Sequence, residues 1–251
     1  IVGLDTETIL NKGAYQFPSA QFWSKELGFK DFVTDQRLVE NYFGSKTRGT
    51  IFLAQNAEYD FSVLWKVLKD QGYTFKFLFN KGRFIYGKLV KKDHAWSIYD
   101  LRNIFVNWNL RRIGDFINCK KLESPPNLGL RIPQTQKEWN YFRKYALRDA
   151  EICYKAGKWI QKRIGTMRVS APSLSFSVYN KRFRPFGIYL DVDSSLNQKL
   201  RLAYKGGRAE CFVRGSPEET VYVYDVVSLY PYIMREYKMP LGIGGLKEKT
   251  S

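Results

Sequence analysis

Residues 49–73, GTIFLAQNAEYDFSVLWKVLKDQGY, place the tightest constraint on how this chain can fold. A short apolar run, a polar turn and then Phe61, Leu64, Trp65 and Leu68 at 3.6-residue spacing predict strand, turn and helix, with Gly72 as the stop. The opening IVGLDTETI reads as a buried β-branched strand with polar groups at its carboxyl end. FKFLF, RFIYGKLV and HAWSIYDL read as consecutive strands joined by NKG and KKDH turns, and LRRIGDFI reads as helix. ESPPNLGLRIP is a Pro-rich loop; the segment from Thr135 to Ile164 is a long amphipathic helix, with Thr135 as cap and Glu138 at capping-box spacing. Strands and helices mixed in this way, with acids at strand ends, predict an α/β domain built on a mixed sheet, with ligands beyond the carboxyl ends of the strands. A second region begins after GTMRVSAPS, which divides the chain into 1–168 and 169–251.

Charge narrows the partners. Lys and Arg number 41 against 24 acids, a formal net charge of +17, which favours a polyanion. Aromatic residues at 16% favour nucleic acid over an anionic membrane, because bases stack on aromatic faces. A hydrophobic share of 44% supports a packed core. Cys119, Cys153 and Cys211 are far apart and His94 is the single histidine, which argues against a structural zinc site and a disulfide framework and fits a reducing interior. No apolar run reaches the roughly 18 residues of a membrane span. The start, without Met and with an early carboxylate, is no signal peptide and reads as a trimmed chain.

The carboxylates carry the chemistry. Asp5 and Glu7 are two apart on a strand and share a face. Asp60 begins a helix after another strand, and Asp149 follows Tyr145 by four residues on one helix face. Converging acids need cations, and a ligand set of oxygens alone selects Mg²⁺ or Mn²⁺. Two such ions about 3.5–4 Å apart suit in-line attack of water on a phosphodiester. Taken singly, each acid has a plainer use: Asp60 as a helix cap, Asp149 as an exposed helix acid paired with Arg148 or Lys144.

In order and spacing, DTE, NAEYD and YALRD resemble the three motifs of the DEDD exonucleases, in the branch with Tyr in the third motif. The resemblance covers residues 1–165, and His94 is too far from Asp149 for the His branch. It implies a ribonuclease H-like fold, with Asp5, Glu7, Asp60 and Asp149 as metal ligands and Tyr145 positioning the attacking water. Thr8, Asn56 and Tyr59 would contact the 3′-terminal nucleotides of a single strand, Tyr59 by stacking, with core packing as the plain alternative for that ring. Lys120 or Lys121 would meet the scissile phosphate. Asp100, in SIYDLRNIF, is a rival strand-end acid. Where protein-primed relatives carry a Ser/Thr-Leu pair, this chain has Leu101-Arg102, and Arg102 would grip a phosphate instead.

VYVYDVVSLYP, read as a strand and a tight turn, resembles motif A of the family B DNA polymerases. The resemblance makes Asp225 a metal-binding acid and Tyr230 a nucleotide-binding residue. YKGG resembles the YxGG linker between the nuclease and polymerase domains, with Tyr204, Gly206 and Gly207 near DNA. The linker looks most like the protein-primed or replicon-encoded branch, which implies a terminal protein as a further partner. No NSxYG helix or YxDTDS strand occurs in these residues, so Asp225 has no partner acid here and primer extension is not expected of them. The reading is a proofreading 3′–5′ exonuclease followed by the start of a palm, acting in DNA replication on a single-stranded 3′ end and on primer-template DNA. Its location would be intracellular, in cytoplasm or nucleoid, in a viral or plasmid setting. Two alternatives stand: a single-stranded DNA-binding module derived from a polymerase, and a free-standing DEDD nuclease acting on RNA.

Overall fold

Alternation along the first strand sorts the first unit into layers. In the computed structural model, β1 (Val2–Asn11) turns Val2, Leu4, Thr6 and Thr8 to one face and Gly3, Asp5 and Glu7 to the other. The structure describes residues 1–11, 14–184 and 220–238, and residues 198, 201, 202, 210, 215 and 216 besides. It divides into two units, Ile1–Ile188 and Tyr189–Ser251.

In the first unit β4 (Ile51–Ala54) lies parallel to β1, and β7 (His94–Asp100) lies parallel to β4. Antiparallel strands flank this centre. They are β2 (Ala14–Ser24) and β3 (Phe29–Val33) on one side, β6 (Arg83–Lys91) and β5 (Thr74–Asn80) on the other. The order is β3-β2-β1-β4-β7-β6-β5, a seven-stranded sheet; its mixed character is as the sequence predicted, while β2 and β3 were not foreseen. Since β1, β4 and β7 run the same way, the polar groups at their carboxyl ends meet along one edge.

One face packs on α1 (Ala57–Leu68), where Val2, Leu4, Phe22 and Phe52 meet Phe61, Leu64 and Leu68. Phe22, Phe52 and Leu64 are fully buried, each contributing about 1.5–3 kcal/mol. Gly72, at φ 77°, turns the chain after this helix. Trp65, expected in the apolar stripe, lies at its margin against Phe75 and is 54% exposed; Val63 is buried in its stead.

The other face packs on α2 (Leu110–Phe116) and α3 (Gln136–Ile164), with Leu53, Leu101, Ile113, Ile152 and Ile160 between the layers. Thr135 caps α3, its hydroxyl accepting from the Glu138 N–H at 3.2 Å. The Glu138 carboxylate accepts from the Gln134 N–H at 2.6 Å, one residue further out than a capping box requires. Past residue 168, α4 (Ala171–Val178) adds Leu174 to the same apolar cluster.

In the second unit α5 (Leu229–Glu236) follows Ser228, which has φ 55°. Residues 221–226 were expected as a strand and take up neither strand nor helix. A strand requires a ladder partner, and Val223 and Tyr224 stand 90% exposed with none among the described residues. Tyr204, Gly206 and Gly207 lie outside the described residues.

Candidate metal centre and the groove beside it

Strand alternation and one helical turn assemble the acids. Asp5 and Glu7 from β1 and Asp149 from α3 each offer a carboxylate oxygen, all within 4.8 Å of one another. Asp149 is not an exposed helix acid. It is buried, and Arg148 pairs with Glu151 at 3.0 Å instead. The partner of Asp149 is Lys121, whose ammonium donates to the carboxylate and, at 3.0 Å, to the Tyr145 hydroxyl. The same ammonium sits 4.5 Å from the centre of the Tyr145 ring, and Ser124 lies 3.4 Å from that hydroxyl. Lys120 points to solvent and supplies only its carbonyl, to Arg148 at 2.9 Å. Of the two lysines singled out in the sequence, Lys121 is the one whose ammonium lies at the acids.

Asp60 stands apart from this trio. It projects from α1, buried, accepts from the Thr6 hydroxyl at 2.8 Å, and lies near enough for the Glu7 charge to act on it. It does not cap its helix; that position belongs to Asn56, at φ 70°. Asp100 does not join the acids either. It accepts from the backbone N–H groups of Asn56 at 3.0 Å and Arg102 at 2.8 Å, and so ties β7 to the start of α1.

Burial dominates the electrostatics. It lifts the Asp5 carboxyl well above its usual range, helped by Glu7, Asp149 and Asp60. Burial and Asp149 push Glu7 up to about 7, though it keeps a partial opening to solvent. Asp60 rises to about 8 through burial, against the opposing hydrogen bonds from Thr6. Asp149 is raised by burial and partly restored by Lys121. For Lys121 burial acts downward, but the Asp149 carboxylate outweighs it and holds the ammonium charged.

Beside the acids, the hydroxyls of Thr8 and Tyr59 hydrogen-bond to each other. Arg102 donates to the Asn56 side chain at 2.5 Å, and the Arg83 guanidinium donates to the Arg102 carbonyl at 2.6 Å. Asn56, Arg83, Arg102, Trp108 and Asn109 line a polar cavity of about 740 Å³. Asp225 and Tyr230, in the second unit, are exposed, and Asp225 belongs to no acid cluster among the described residues. Two residues not foreseen from the sequence are Ser19 and Gln21 of β2, both fully buried and opposite Glu7 and Asp5. Their signal was available: polar residues alternating with Ala20 and Phe22 put a polar stripe on one face of a strand.

The residues fit a divalent cation. The donors are oxygens alone, as Mg²⁺ and Mn²⁺ prefer, and Asp149 Oδ1 is buried without a hydrogen-bond partner. Sheet, helices and acids together define an α/β protein on a mixed sheet with a carboxylate centre at the sheet edge. Residues 134–251 match the family described as DNA polymerase type B, organellar and viral. A probable DNA polymerase of Neurospora intermedia is 35% identical over 72 residues, 29% of this chain and 7% of that protein. The DNA-directed DNA polymerase of Enterobacteria phage PRD1 is 38% identical over 60 residues, 24% of this chain and 10% of that protein. Among solved structures, Phi29 DNA polymerase complexed with single-stranded DNA superposes with a TM-score of 0.60 at 14% identity. The match covers 82% of this chain and 39% of that one. The ternary complex of Phi29 DNA polymerase with primer-template DNA and incoming nucleotides gives 0.59 at 16% identity, with the same coverage. Over residues 134–251 the chain is thus similar to the type B DNA polymerases of organelles and viruses, and it spans well under half the length of those it matches.

Proposed function

We propose that the first unit is a metal-dependent 3′–5′ exonuclease on single-stranded DNA, the proofreading part of a type B DNA polymerase that works in DNA replication. The observation that carries this reading is the meeting of Asp5, Glu7 and Asp149 oxygens within 4.8 Å. Those three would hold Mg²⁺ or Mn²⁺, and Asp60, near enough for the Glu7 charge to act on it, would complete the ligand set for two ions. Bound there, the cations supply charge stabilisation for the phosphodiester and a water of lowered pKa.

The chain's own side chains do the rest. Tyr145 accepts from Lys121 and hydrogen-bonds Asp149, which holds its hydroxyl beside the acids, where it would orient an attacking water. Lys121 sets a positive charge where the scissile phosphate would gain negative charge. Thr8, Asn56 and Tyr59 would seat the 3′-terminal nucleotides, with Tyr59 as a stacking face and Arg102 as a phosphate grip. The Phi29 enzyme was solved with single-stranded and with primer-template DNA, which supports the same partners here. The protein-primed branch adds a terminal protein. Residues 169–251, with Tyr204, Gly206, Gly207, Asp225 and Tyr230, read as linker and first part of a palm. With one polymerase-type acid among them, residues 1–251 are not expected to extend a primer.

The test is a 5′-labelled single strand incubated with the chain while Mg²⁺ or Mn²⁺ is titrated. Asp5→Ala and Asp149→Ala should lose several powers of ten in cleavage, on the order expected for preorganised charge stabilisers, and keep their DNA affinity. Near-normal degradation by either variant removes these acids from the site. The Lys121–Asp149 pair favours a second reading, since it partly neutralises an acid without metal: a module that binds single strands and cuts nothing. Unchanged strand length at saturating Mn²⁺ selects that module. Cleavage of RNA but not DNA selects a free-standing nuclease.

A further inference from the structure

A glutamine fully buried in a strand facing a helix needs a reason, because an amide there must find partners or lose its hydrogen bonds to water. Gln21 finds them in the acid centre. It stands directly opposite Asp5 in the β1–β2 ladder, and Ser19 stands opposite Glu7. With its nitrogen toward Asp5, the Gln21 amide donates to Asp5 Oδ2 at 3.1 Å and to the Asp5 carbonyl at 2.8 Å. Its oxygen then accepts from the Ser19 hydroxyl at 2.7 Å. The opposite orientation would face the amide oxygen toward two acceptors, so the network fixes one arrangement.

We infer that Gln21 is a positioning residue: it holds the Asp5 carboxylate with one oxygen committed to the amide and the other left for the centre shared with Glu7 and Asp149, and Ser19 holds Gln21 in turn. The inference rests on the reading of that centre as a metal site. An Asp carboxylate rotates freely about its terminal torsion, so its two oxygens exchange places unless something outside the ligand set pins them. Partners of this kind typically change metal affinity by 10- to 100-fold. A leucine would fill the same volume and serve the packing equally, so packing does not account for the amide.

The experiment follows Mn²⁺ binding to the full 251-residue chain by loss of the free-ion electron paramagnetic resonance signal, beside thermal unfolding in EDTA. Gln21→Leu should weaken Mn²⁺ binding about 10-fold with an unfolding midpoint in EDTA close to that of the parent. Ser19→Ala should weaken it about 3-fold and decides the matter if Gln21→Leu does not fold. Asp149→Ala is the control on the site. If Asp149→Ala binds Mn²⁺ like the parent, the metal reading itself falls. If Asp149→Ala loses binding while the Gln21 and Ser19 variants bind like the parent, only the positioning role falls.

Discussion

The ammonium of Lys121 reaches the carboxylate of Asp149 across 28 positions of sequence and takes hold of the Tyr145 hydroxyl on the way. The Lys121 side chain is 16% exposed and that of Asp149 is 5% exposed, so the pair is shielded from water. Removing one partner of such a pair would leave an uncompensated buried charge, so the intact pair ties the loop after α2 to α3.

That contact sets two effects against each other. A fixed positive charge lowers the affinity of the neighbouring acids for a cation, yet it stabilises negative charge on a phosphate. Lys121→Met should therefore bind Mn²⁺ more tightly while cutting DNA about 100-fold more slowly. Mn²⁺ titration beside single-turnover cleavage checks both. Loss of Mn²⁺ binding would mean that Lys121 holds the acids together and has no part in handling the phosphate.

Tyr145→Phe keeps the ring and its contact with Lys121 and deletes only the hydroxyl. Cleavage should fall about 100-fold, the low end of what a positioned proton-handling group contributes. Mn²⁺ affinity should stay within about twofold, because the phenol holds no ligand position. A variant that fails to bind Mn²⁺ would make Tyr145 a structural residue.

Much of the centre was legible because its parts obey local rules. Asp5 and Glu7 share a face by strand period, and Tyr145 and Asp149 by helix period; both hold. What stayed hidden depends on pairing across the chain. β2 and β3 were not foreseen, and without β2 nothing placed Gln21 opposite Asp5. Asp60 was expected beside these acids, and spacing along the chain could not show that the Thr6 hydroxyl of β1 would hold its carboxylate. Trp65 matched the helical period and still faces water, since the stripe it belongs to is narrower than the period suggests.

The acids also predict how stability varies with pH. Without divalent cation, Glu7 and Asp60 titrate near 7 and 8 in the folded chain, against ordinary values of 4.5 and 3.8. Between those limits these two groups bind more protons in the folded chain than in the unfolded one, so their contribution to stability is full below about pH 4 and is lost as pH rises toward 8. The groups share one another's repulsion and Glu7 is partly exposed, so a midpoint fall of about 5 °C from pH 5 to 8 is expected in EDTA. Saturating Mn²⁺ should flatten or reverse that slope by replacing the protons. Glu138, held at about 2 chiefly by Arg131, acts only below its ordinary 4.5 and leaves this window untouched. Calorimetry across the range checks the sign, and a midpoint that climbs with pH in EDTA would contradict it.

Gly3 joins the packing of α3 to the geometry of the centre. A Cβ there would lie 1.9 Å from the Ala150 carbonyl oxygen and 2.8 Å from the Tyr154 nitrogen, both backbone atoms of α3. Backbone cannot swing aside as a side chain can, so Gly3→Ala must lift the helix from β1 by about 1 Å, at a cost of about 1–3 kcal/mol. Asp149 precedes Ala150, and the displacement therefore passes directly to the acids. A shift of that size can cost about 100-fold in rate, and Mn²⁺ binding should weaken with it. Gly157→Ala is the comparison: its Cβ would meet Leu53 Cδ1 at 2.2 Å, the mobile end of a side chain that can rotate away. That variant should lose stability while keeping Mn²⁺ affinity. If Gly3→Ala instead unfolds earlier yet binds Mn²⁺ and cuts DNA like the parent, the spacing of α3 from β1 does not set the geometry of the centre.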